Sequence, residues 1–147
     1  MQLSKYFTLE EMIASQTAAR KRIDNTPTSE HVQNMVELCH LADKVREYLG
    51  HPMIVSSGYR SAKLNTAIGG SKTSAHMRGE AMDFTCHGFG SVKEVFNALK
   101  SSGIAFDQLI LEYPDANNGN GSWVHLGISS TPRHQTLVFD GTQYRIA

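Results

Sequence analysis

The residues of this chain whose types and spacing suit chemistry are two histidines and an aspartate. In the run Ser74-Ala75-His76-Met77-Arg78-Gly79-Glu80-Ala81-Met82-Asp83, a histidine without apolar periodicity around it precedes a glycine and then a strand-like alternation. A glycine that lets the chain turn sharply can bring that imidazole and the Asp83 carboxylate to one point. His125, in Trp123-Val124-His125-Leu126, offers a third donor from the middle of an apolar strand. Two imidazoles and one carboxylate form the donor set of a catalytic zinc site, because they leave the fourth tetrahedral position open. Taken alone, a histidine placed like His125 is more often an interior residue satisfied by hydrogen bonds, and seven histidines leave room for chance pairings.

The elements that must position these groups are well signalled. Thr8 and Glu11 have capping-box spacing, and Leu9, Met12 and Ile13 follow on one helical face. Val32, Met35, Val36, Cys39, Ala42, Val45 and Leu49 recur at helical spacing up to Gly50, marking the main packing helix. His31 and His40 on that helix read as surface residues. Residues 53–56 read as a short strand, and Ser61 opens a short helix that stops at Gly69 and Gly70. The segment 71–79 reads as an exposed loop. In the strand 80–85, Ala81, Asp83 and Thr85 face one way and Met82 and Phe84 the other. Ser91 caps a helix carrying Val92, Val95, Phe96 and Leu99, ended by Gly103. Strands at 106–113 and 123–128 flank a turn-rich segment, 114–121, and Asp140-Gly141 joins strands at 136–139 and 143–146. The order predicts an α+β fold in which a small antiparallel sheet carries the site and packs against N-terminal and intervening helices.

The 147 residues fit a single domain, 1–147, which at this size buries about 68–70% of its unfolded surface. Fourteen basic residues balance fourteen acidic ones without a block of like charge, which argues against nucleic acid as a partner. No apolar run reaches the length of a membrane span or a signal peptide. A monomer is therefore expected, made in a cytoplasm without stable membrane insertion, with Cys39 and Cys86 both reduced.

The Ser-x-His-x-x-Gly-x-Ala-x-Asp string, preceded by Ser56-Ser57-Gly58-Tyr59-Arg60-Ser61 and followed by Trp123-Val124-His125, resembles the M15 zinc peptidases. The similarity is to the D-alanyl-D-alanine carboxypeptidase-like and phage endolysin branches, over residues 5–128. It implies a fold like that of hedgehog domains and D-Ala-D-Ala peptidases, with zinc held by His76, Asp83 and His125. It also implies that Arg60 contacts the substrate or its developing charge, a task suited to a planar guanidinium. Ser74 matches a position that hydrogen-bonds substrate in relatives, and a loop-capping role fits it equally.

The implied partners are bacterial peptidoglycan peptides, cut by a phage or prophage endolysin reaching the wall after release. A D-Ala-D-Ala carboxypeptidase and a zinc-containing wall-binding module without turnover are the alternatives. One position departs from the pattern. Several relatives carry an acidic general base three residues before the last histidine, where this chain has Ser122, which cannot take a proton from water at neutral pH. Glu112, at the end of the preceding strand, is the expected base, with Asp115 and Asp107 in reserve. His87 is a candidate for supporting Asp83 if the strand continues that far.

Overall fold

The computed structural model describes residues 1–115 and 121–147. The loop expected at 114–121 lies mostly outside the described residues. Local signals set the helices as expected. Thr8 and Glu11 cap each other at the start of α1 (Leu9–Ile13). Thr28 caps α3 (Ser29–Leu49), and Gly50 closes it in the left-handed region. His31 completes that cap by accepting the Thr28 N–H through Nδ1, at 3.2 Å. Ser91 and Glu94 form the third capping box, on α5 (Val92–Lys100). Between α1 and α3 lies a helix the sequence pattern did not announce, α2 (Gln16–Lys21), which buries only Ala18. The short α4 (Ala62–Ala67) starts at Ser61 as expected.

Six strands form one sheet: β1 (Ile54–Ser57), β2 (Ala81–Thr85), β3 (Gln108–Glu112), β4 (Trp123–Gly127), β5 (Gln135–Phe139) and β6 (Tyr144–Ile146). Their spatial order is β1-β2-β4-β3-β5-β6. The α+β class holds, but the sheet is mixed, not antiparallel throughout, because β5 runs parallel to β3. The reason lies in residues 128–134, which lead the chain from the end of β4 back past the start of β3. His134 N–H bonds to the Phe106 carbonyl there, and β5 then starts beside β3 in the same direction.

Alternation along the strands separates two faces. Met82, Phe84, Leu109, Leu111, Val124 and Leu126 enter the core with Met35, Leu38, Cys39, Ala42 and Val45 of α3. Asp83, His125 and Glu112 take the opposite face, and the register places Asp83 directly across from His125. Fully burying each large core side chain is worth roughly 1.5–3 kcal/mol. The apolar face thus fixes the register, and the register fixes which polar side chains meet on the other side.

Candidate metal centre

His76 arrives on a single 3-10 turn (Ala75–Arg78), whose first residues Ser74 caps by accepting the His76 N–H. In the segment expected to be an exposed loop, Ser71, Lys72, Thr73 and Arg78 are exposed, but the turn itself folds against the body and His76 is only 2% exposed. Gly79 makes this packing possible. Its φ is +75°, and a β-carbon there would lie 2.6 Å from the His31 carbonyl oxygen on α3. The Gly58-Tyr59-Arg60 segment grips the turn from the other side. His76 Nδ1 donates to the Gly58 carbonyl at 2.7 Å, and Arg60 N–H donates to the His76 carbonyl at 3.1 Å. Gly58 has its own constraint, since a β-carbon would come within 2.3 Å of the Met12 carbonyl of α1.

With Nδ1 engaged, His76 turns Nε2 towards Asp83, 3.3 Å from Oδ1, and the same oxygen lies 3.0 Å from His125 Nδ1. The two imidazoles meet edge to face at 5.2 Å. One donor atom from each of His76, Asp83 and His125 lies within 4.8 Å of the others, and all three residues are buried. Burial alone would raise the Asp83 pKa, but both imidazoles outweigh it and hold the carboxyl well below its usual range. Burial lowers the pKa of His76, against the pull of Asp83. Burial would lower the His125 pKa, but the hydrogen bond and charge of Asp83, with the Glu112 charge, together raise it. An ionised carboxylate beside a neutral imidazole with its far nitrogen anchored is the protonation state and orientation that a borderline divalent cation requires. The donor set therefore fits zinc.

Glu112 pairs with Trp123 across β3 and β4, on the face of the sheet that carries His125. Its carboxylate accepts the Trp123 indole N–H. Burial and the nearby Asp83 charge raise the Glu112 pKa to about 7, against His125, the indole bond and Arg60. Arg60 is half-buried, and burial lowers its pKa, with Asp83 and Glu112 close enough to oppose the shift. Sequence reasoning named Trp123 only as part of a motif.

The reserve residues fare differently. Asp107 sits before β3, at the far end from Glu112, and is committed to Arg133, which donates to it from Nε, the second guanidinium nitrogen and the backbone N–H at 2.8–3.0 Å. It is not free to act as a base. Asp115 is exposed beyond the strand end. His87 is exposed and lies beyond the end of β2, so the expected alternation no longer carries it towards Asp83.

A search of curated proteins finds no match. The family model for Peptidase M15 matches residues 5–126, which contain Arg60, Ser74, all three clustered donors and Glu112. That span covers most of the chain and the whole of the site just described: the chain belongs to the peptidase M15 family, and so to the metallopeptidases.

Proposed function

We propose that this protein is a single-domain zinc peptidase that hydrolyses peptide bonds in the stem peptides of bacterial peptidoglycan and acts as a monomer. The observation that carries this reading is the convergence of His76, Asp83 and His125 beside a glutamate held near neutrality. His76, Asp83 and His125 hold the metal, and zinc, when bound, supplies Lewis acidity towards a carbonyl and towards water. Every donor comes from one chain, so the site needs no second copy.

Glu112 is the general base. At about 7 its pKa lies near the working pH, where a carboxylate is basic enough to take a proton from water and acidic enough to return it to a leaving amine. The Trp123 indole holds one carboxylate oxygen, and the other accepts no hydrogen bond among the described residues. This placement accounts for Ser122, since the acid missing before the last histidine is supplied by the neighbouring strand. Arg60 offers a forked cation to a substrate carboxylate or to the charge that develops on the attacked carbonyl oxygen. Ser74 uses one of its two lone pairs on the His76 N–H, which leaves its O–H able to donate to the substrate. The fold is inferred to be of the hedgehog and D-Ala-D-Ala peptidase type, and the setting that of a phage or prophage endolysin.

Digestion of purified peptidoglycan, with mass spectrometry of the new termini, tests the reading. The expected result is chelator-sensitive release of new amino termini within the stem, at the Ala-D-Glu bond, with loss of at least a hundredfold in rate for Glu112→Gln. Release of terminal D-alanine alone would make it a carboxypeptidase. Binding to wall without any cleavage would make it a non-hydrolytic module.

A further inference from the structure

A cleft of about 750 Å³ opens between α2 and the segment formed by β1 and α4. That is the size of an ordinary ligand pocket. Two residues of its wall adjoin the metal centre, and Arg60 also bonds through its backbone N–H to the His76 carbonyl. Ser57 is the register partner of Asp83, and Arg60 lies within reach of the charges on Asp83 and Glu112. The opposite wall is α2, which presents Arg20. Among the described residues, the charged ones lining the cleft are thus two arginines, with no acid.

Neither cation is spent. Arg60 Nε is buried and has no hydrogen-bond partner among the described residues, an uncommon state for a buried donor in a finished site. Arg20 makes no ion pair among the described residues. Two arginines lining one concavity give it a positive potential that favours an anionic ligand. Sequence reasoning missed Arg20 because α2 has almost no buried face to betray it.

We infer that this cleft is a substrate subsite for a peptide with two carboxylates, in which Arg60 meets the one nearer the metal and Arg20 pairs with the second. Arg20 is then a specificity-determining residue that favours acidic stem peptides over their amidated forms. The inference rests on the peptidase reading above. Because Arg20 is exposed, its pairing is screened by water and salt, and its effect is of the order of three- to tenfold.

The test compares an Ala-D-Glu stem peptide bearing both carboxylates with two versions, each amidated at one of them. Wild type, Arg20→Gln and Arg20→Lys are assayed for KM and kcat, and each peptide's binding is measured by calorimetry. Wild type is expected to show a higher KM on both amides, about three- to tenfold on the one that removes the partner of Arg20, a difference that narrows in high salt. Arg20→Gln should erase the preference against that one amide and leave the other, and Arg20→Lys should retain most of both. Acid-to-amide ratios that Arg20→Gln leaves intact on both amides, or a wild type indifferent to both amidations, would overturn the subsite. Cleavage without any Arg20 dependence would sink the subsite and keep the peptidase. Charge-selective binding lost in Arg20→Gln, without cleavage, would sink the peptidase and keep the subsite.

Discussion

The indole of Trp123 sets how Glu112 can work. Its N–H stabilises the ionised carboxylate, opposing the burial and the Asp83 charge that raise the Glu112 pKa to about 7. A bound dication adds to the indole's effect, so the acid limb of kcat/KM should fall between the ordinary value of 4.5 and about 7. Trp123→Phe removes a donor that favours the charged form. The glutamate then holds its proton to higher pH, and the limb should move upward by as much as about one unit. A pH profile checks this, and a limb that stays in place or moves down would show that another group titrates there. His76 and Asp83 were legible in the sequence because loop histidine, glycine and strand aspartate follow one another closely, whereas His125, on a distant strand, was singled out by the family resemblance. The indole bond was not legible, since it depends on a cross-strand register that composition does not report.

Among the elements, the 3-10 turn carries most of the positional burden. It was read as an exposed loop because its sequence lacks periodicity. What folds it inward is a close approach to α3 that only a residue without a β-carbon permits. Gly79→Ala meets both a left-handed backbone penalty, roughly 1–2 kcal/mol, and a clash with the His31 carbonyl. It should lower the melting temperature and weaken metal retention together. Gly50→Ala, at a similar φ but in open space, should lower stability alone. If Gly79→Ala retained metal as tightly as Gly50→Ala, the turn would not be what holds His76. The amphipathic helices and their caps were readable in advance, whereas α2 was not, being short and mostly exposed.

At the scale of the whole molecule, Asp83 and His125 come from the neighbouring strands β2 and β4, His76 from the 3-10 turn, and Glu112 from β3, whose other edge pairs with the parallel β5. The sequence announced the β5–β6 hairpin through Asp140-Gly141 but not its parallel docking, which is a long-range choice. The Asp107–Arg133 pair fastens that docking, joining the start of β3 to the segment leading into β5. Its bonds to Arg133 hold the Asp107 pKa below the usual carboxylate range, against burial. Its contribution is therefore complete above the unfolded value of about 3.9 and is lost as pH falls through the folded value. Asp107→Asn should cost about 1–2 kcal/mol near neutrality. Thermal melts should show the gap to wild type closing below about pH 4, and a gap that persists there would mean the pair is not its source. The most direct measurement for the molecule as a metallopeptidase is zinc content after purification and exhaustive dialysis. About one equivalent is expected on the wild type, with near-complete loss in Asp83→Ala. A wild type that holds no zinc, or an Asp83→Ala variant that holds as much as wild type, would contradict the account.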